Sequence, residues 1–105
     1  MEHYHDPQDK RFARELRHGA PETFAAFLQF DEAALRGADR AIPRKYTELM
    51  ALAVALTTQC AYCIEGHTKA AHGEGATEAE IAETVLIAAA LRAGGAMAHG
   101  MMAMK

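Results

Sequence analysis

Apolar side chains recur along this chain at helical spacing, and no run of alternating β-branched residues suggests a strand. Phe12 and Leu16 stand four apart between Gln8 and His18, which predicts a first helix ended by Gly19. Pro21 suits the first turn of a second helix that carries Phe24, Phe27, Leu28 and Leu35 before Gly37 stops it; its aromatic residues are expected to fill core. A third helix is predicted from Pro43 to about Thr58. It is apolar on all sides from Leu49 to Leu56, as in a helix enclosed on most faces, with Glu48 at the edge of that stretch. A fourth is expected to begin between Cys60 and Tyr62 and to run to about His72, where Gly73 and Gly75 break it. Thr77 and Glu80 form a T-x-x-E capping box for a fifth, Glu78 to Arg92, striped by Ile81, Val85 and Ala88 or Ala89. Gly94-Gly95 is expected to separate it from a last segment with Met97, Met101 and Met104 on one face, an adaptable surface for core or subunit packing. The fold class is therefore all-α, a single-domain bundle of five to six helices over residues 1–105.

The size, 105 residues and 11.4 kDa, fits one domain with one modest core. Eleven basic residues scattered among fourteen acidic ones, for a formal charge of −3, form no patch suited to phosphate backbones or anionic lipid, so neither nucleic acid nor membrane is an expected partner. The start, MEHYHDPQDKRFAREL, has no apolar core of a secretory signal, and its acidic residues do not suit a transit peptide. The longest uninterrupted apolar runs, Leu49 to Leu56 and Val85 to Leu91, fall far short of the roughly 18 residues of a membrane span. A cytoplasmic location is the expectation.

The candidate chemistry lies in Cys60-Ala-Tyr-Cys63-Ile-Glu-Gly-His67, which holds the chain's two cysteines. In a reducing cytosol a lone CxxC is more often catalytic or metal-binding than a structural staple. On a helix turning 100° per residue, Cys60, Cys63 and His67 fall within an arc of about 60°. Thiols three apart are a little far for a disulfide in a regular helix, and modest adjustment of the first turn would close one. The unpaired N–H groups and the positive end of the helix dipole at that turn favour thiolate. His67, four residues after Cys63, can take its proton directly or through a water, which makes Cys63 the candidate nucleophile and leaves Cys60 as the resolving thiol. Glu48 could orient the imidazole and stabilise its charge if the third and fourth helices pack antiparallel.

Other readings of the same residues exist. Two thiols and His67 also suit zinc, with Glu48 or His72 as fourth ligand, although structural zinc usually draws on two separated ligand pairs. The thiols can equally be small buried hydrophobes beside a satisfied core histidine, and Glu48 a surface carboxylate paired with a nearby cation. His72 is expected to be solvated, and His99, among the methionines, has no evident partner. Tyr62 and Glu65 are secondary, and His3 and His5 are expected to lie in a mobile terminus. No flavin, haem or nucleotide motif is visible, so no bound cofactor is required.

These residues resemble the carboxymuconolactone decarboxylase superfamily, and within it the alkylhydroperoxidase-D-like branch. The shared signature is a Glu, twelve residues on a Cys, the completed CxxC and a His four residues later, here Glu48, Cys60, Cys63 and His67. The order of helices from about residue 21 to 95 is similar as well. The resemblance implies an all-α fold, assembly as a homotrimer or homohexamer, and a thiol peroxidase or disulfide reductase activity. It also implies Cys63 as peroxidatic thiol, Cys60 as resolving thiol and Glu48 with His67 as proton relay. Hydroperoxide would be the substrate, and a thioredoxin-like or lipoyl dithiol the reductant. The best-known peroxidases of the branch carry a histidine between the cysteines where this chain has Tyr62. The decarboxylases of the wider superfamily generally lack the CxxC. Alternative readings are a redox adaptor or sensor that exchanges disulfides without peroxide turnover, and a zinc-binding structural protein.

Overall fold

The computed structural model describes residues 5–105, and His3 lies outside the described residues. As expected, the fold is all-α, with no strand among the described residues. The chain divides into two compact units at the Pro43–Arg44 junction.

The first unit opens with a 3-10 turn, Pro7–Phe12, followed by α1, Ala13–Gly19, and α2, Pro21–Arg36. The single helix expected from Gln8 to His18 is thus split. The Asp6 carboxylate accepts from the Gln8 N–H at 2.9 Å, and the capping box it forms with Asp9 fixes the start of the tight 3-10 turn, which gives way to α-helix only at Ala13. Gly37 ends α2 as expected. An added Cβ there would lie 2.7 Å from the Ala33 carbonyl oxygen, a contact no side chain tolerates. Arg40 then donates to the Ala34 carbonyl at 2.6 Å, satisfying one of the carbonyls the helix end leaves open. The aromatic residues of α2 do not form a core: Phe27 and Phe30 are 59% and 70% exposed, and Leu28 is also exposed. Helical spacing marks an apolar face without saying what buries it, and α2 holds no buried residue.

The second unit consists of α3, Arg44–Thr58, α4, Ala61–Gly73, and α5, Glu78–Gly100, with a final 3-10 turn, Met101–Met104. Helix α3 is central, packing against both α4 and α5. Its buried positions Glu48, Leu52 and Ala55 recur at i, i+4 and i+7. Leu52 is 1% exposed, and burial of such a side chain contributes about 2 kcal/mol. The opposite face is open, however, with Met50 and Val54 both more than half exposed, so α3 is not enclosed on most sides.

Two turns of one type fix the ends of α3 and α4. At the first, Gln59 adopts the left-handed conformation (φ 58°) and the Cys60 N–H bonds back to the Ala55 carbonyl at 3.1 Å. At the second, Gly75 (φ 90°) allows the Ala76 N–H to reach the Ala71 carbonyl at 2.9 Å. Both are Schellman closures. The first uses glutamine where glycine is the unstrained choice, which costs about 1 kcal/mol. The short link folds α4 back antiparallel on α3.

Helix α5 begins at the expected capping box, with the Glu80 N–H donating to Thr77 Oγ1 at 3.1 Å and the Thr77 N–H to Glu80 Oε1 at 2.8 Å. Lys45 crosses from α3 to Glu80 at 2.9 Å. The Thr77 N–H, and secondly Lys45, hold the Glu80 carboxyl below its ordinary range, and the hydrogen bond to Glu80 raises Lys45. Thr84 and Ala88 are the buried positions, while Val85 and Ala89 of the expected stripe face outward. The break expected at Gly94-Gly95 does not occur: α5 runs through both glycines to Gly100. Each costs about 1 kcal/mol relative to alanine, and the surrounding alanines, the best helix formers, carry the helix across. Continuous in this way, the stretch Glu78–Met104 is long and apolar enough, by length and composition, to cross a membrane, with mean hydropathy 1.4. The short apolar runs seen in the sequence understated it. Its buried contacts with α3 and the Arg92 side chain bonded to the Thr57 carbonyl at 2.5 Å are equally those of a helix packed in a bundle.

Candidate active site

Glu48 is the starting point, because it is a carboxylate with no solvent exposure. Such a group costs several kcal/mol to bury unless it is paired. Its partner is His67 on α4, whose Nδ1 lies 2.6 Å from Glu48 Oε2. Since a carboxylate in its ionised form only accepts, we assign the bridging proton to Nδ1, which leaves Nε2 for proton exchange. The His67 side chain is 20% exposed and bridges the buried carboxylate toward solvent. Glu48 Oε1, equally shielded, has no hydrogen-bond partner among the described residues. The antiparallel packing the sequence required for this pair is present, and the surface ion-pair reading of Glu48 is excluded by its burial.

Cys60 and Cys63 form a disulfide with Cα atoms 5.3 Å apart. The expected common helical face for Cys60, Cys63 and His67 is corrected in one respect. Cys60 is not in the helix: it is the N-cap of α4, with extended backbone (φ −94°, ψ 99°), and its Sγ accepts from the Cys63 N–H at 3.2 Å. The left-handed Gln59 turns the chain before Cys60, so the adjustment that lets a CxxC close comes from the preceding turn rather than from fraying inside α4. Cys63 and His67 remain one helical turn apart on α4. The arrangement offers a reversible disulfide, a histidine one turn from one of its sulfurs, and a buried carboxylate that orients the histidine.

His72 and His99 are exposed, as are Tyr62 and Glu65, and His5 is half-buried. Among the described residues no group of three or more His, Cys, Asp and Glu side chains is placed to hold a metal ion. A groove of about 360 Å³ lined by Tyr46, Met50, Ala53, Glu83 and Ile87 lies between α3 and α5 and includes none of the four candidate site residues. The feature the sequence reading missed is Gln59, since a left-handed glutamine carries no signal of the kind glycine or asparagine gives.

Comparison with known proteins bears on the family and the fold. The profile of the carboxymuconolactone decarboxylase family matches residues 21–105. A curated relative, uncharacterized protein 4 in the cox locus of Paracoccus denitrificans, is 47% identical over 74 residues, 70% of this chain. That match spans 65% of the relative's length. Among solved structures, the apo form of a carboxymuconolactone decarboxylase family protein from Legionella pneumophila superposes with a TM-score of 0.71 at 30% identity, over 80% of this chain and 73% of that one.

Proposed function

The chain belongs to the carboxymuconolactone decarboxylase family, and on that premise we propose that it is a CxxC thiol peroxidase of the alkylhydroperoxidase-D-like branch, reducing hydroperoxides through a dithiol/disulfide cycle in the cytoplasm. The observation that carries the reading is the buried Glu48 bonded to Nδ1 of His67, which stands one helical turn after Cys63 on α4. A structural disulfide has no need of an oriented, solvent-reaching histidine backed by a buried carboxylate.

In the reduced protein His67 takes the Cys63 proton at Nε2, and Glu48 stabilises the imidazolium through Nδ1–H. The Cys63 thiolate attacks one oxygen of the hydroperoxide, the O–O bond breaks, and the leaving alkoxide takes the proton from His67. Cys63 is left as sulfenic acid. Cys60 attacks that sulfur, the S–S bond forms and water departs. A thioredoxin-like or lipoyl dithiol then returns both thiols by exchange. No cofactor enters the cycle.

The partners in assembly are further copies of the chain, as a homotrimer or homohexamer. On a helical projection Leu86, Met97, Met101, Ile87 and Leu91 span roughly 140° of α5 and its 3-10 extension, and all five are more than half exposed. Two separate compact bodies with the masses of the two units would together expose about 6,900 Å², whereas the chain exposes 8235 Å². The excess, about 1,300 Å², is more than the roughly 800 Å² per partner of a standard interface.

The test is a stopped-flow reaction of pre-reduced, metal-free protein with a slight excess of cumene hydroperoxide, with thiols counted before and after. Loss of two thiols per chain, abolished by Cys63→Ser and reversed by a dithiol, is the expected result. Thiols that survive peroxide yet exchange readily with disulfides would replace the peroxidase by a redox adaptor.

A further inference from the structure

The two sulfurs of the disulfide are not equivalent. Cys60 is the N-cap of a thirteen-residue helix, and the Cys63 N–H points at its Sγ, 3.2 Å away. Its backbone is held from both sides: the N–H bonds to the Ala55 carbonyl at 3.1 Å, and the carbonyl accepts from the Ile64 N–H at 2.9 Å. The left-handed Gln59 sets this position before any chemistry takes place. Cys63, inside the first turn, has already given its N–H to Cys60 and lies one turn from His67, which is paired with a carboxylate. Negative charge on Cys60 is therefore met by a backbone donor and by the positive end of α4. Negative charge on Cys63 is met by a histidine that must move a proton to neutralise it.

We infer that the disulfide is reduced with fixed direction: the reductant attacks Cys63 Sγ, and Cys60 departs as the helix-capped thiolate. This rests on the thiol-redox reading above and assigns the sulfur on which its reductant partner is bound. In the first step the thiolate of a dithiol attacks Cys63 Sγ. A bond forms between the two sulfurs, the Cys60–Cys63 bond breaks, and its electron pair stays on Cys60. In the second step the other thiol of the reductant, as thiolate, attacks its own sulfur in the mixed disulfide. His67 Nε2 takes the proton that this second thiol gives up, the reductant leaves as disulfide, and the Cys63 thiolate receives that proton from His67. The leaving group with the more stable thiolate leaves faster, which sets the direction.

The same cap suits Cys60 to the oxidising half of the cycle, where it attacks the Cys63 sulfenic acid. Peroxide itself is directed to Cys63, because the leaving alkoxide needs a proton and His67 stands one turn from that residue. Cys60, outside the helix at its cap, has no such neighbour in sequence.

The experiment treats the oxidised wild-type protein with glutathione, quenches with N-ethylmaleimide at intervals from milliseconds to seconds, and locates both labels by fragment mass spectrometry. Maleimide on Cys60 with glutathione on Cys63, in about tenfold excess over the reverse pattern, is the expected result. The reverse pattern, or an even division, overturns the inference. A second measurement decides the matter if the mixed disulfide resolves before it is trapped. Thiolate absorbance near 240 nm is titrated in Cys63→Ser, which retains Cys60, and in Cys60→Ser, which retains Cys63. Cys60 should ionise at the lower pH, and coincident or reversed midpoints overturn the inference. Neither readout involves peroxide, so a protein that fails to consume hydroperoxide would still report the direction of exchange, and a working peroxidase can still refute it.

Discussion

Replacing Glu48 by Gln tests the relay at its most protected point. The substitution preserves volume, and the amide oxygen can still accept from His67 Nδ1, so what is lost is charge. A hydrogen bond to an ionised group contributes about 1.5–3 kcal/mol and a neutral one about 0.5–1.5 kcal/mol. The difference, about 1–1.5 kcal/mol, corresponds to a fall of roughly tenfold in the rate of any step in which His67 becomes cationic. The new amide NH2 must also go where Glu48 Oε1 now lies, buried and without a hydrogen-bond partner among the described residues. An unsatisfied buried donor costs about 1–3 kcal/mol, so a loss of stability of that order should accompany the loss of rate. The assay is single-turnover oxidation of the reduced protein by cumene hydroperoxide at pH 7, with urea unfolding measured on the same sample. A rate within twofold of wild type in a folded Glu48→Gln protein would refute the argument that the buried carboxylate drives proton removal from Cys63.

Leu52→Ala removes the largest apolar side chain that is fully buried and should lower the unfolding free energy by about 3 kcal/mol in urea titrations, with the disulfide unchanged. Thr77→Ala breaks the capping box of α5 and should cost about 1 kcal/mol, read in the same titration. The Glu80 carboxyl, held low by the Thr77 N–H and then by Lys45, stabilises the fold above its ordinary range, and that contribution is lost as pH falls through the depressed folded value. Lys45, raised by Glu80, contributes below its ordinary value and loses that contribution as pH rises through the raised one. Thermal melts from pH 2 to 5 should therefore show a shallower acid-side decline in Glu80→Gln than in wild type; parallel declines would count against the assignment. Leu91→Glu places a charge on the exposed apolar arc of α5 and should reduce the mass measured by light scattering to that of a single chain at micromolar concentration. An unchanged oligomer would move the interface elsewhere.

Much of the site was legible in the sequence because its parts obey local rules. The CxxC, the histidine one turn later and the T-x-x-E box each occupy a few consecutive residues, and helical spacing places such residues without knowledge of the fold. Glu48 could be named, but twelve residues separate it from Cys60. Whether it faced solvent or His67 depended on α4 folding back over α3. The misread elements were those in which neighbours outweigh local preference. Gly94-Gly95 reads as a break, yet α5 passes through it, since alanines on either side offset the cost of two glycines. The aromatic side of α2 reads as core, yet Phe27 and Phe30 are exposed, because periodicity marks an apolar face without saying what covers it.

By itself the sequence determined the class of the fold, the helix starts at Pro21 and Glu78, and the four residues able to carry thiol chemistry, all through short-range backbone and side-chain preferences. Only the tertiary structure decided that Glu48 is wholly buried against His67 and that Cys60 stands outside α4 as its cap. The first follows from antiparallel helix packing. The second follows from a left-handed turn at Gln59, a conformation closed by the Cys60–Ala55 hydrogen bond rather than by any preference of glutamine.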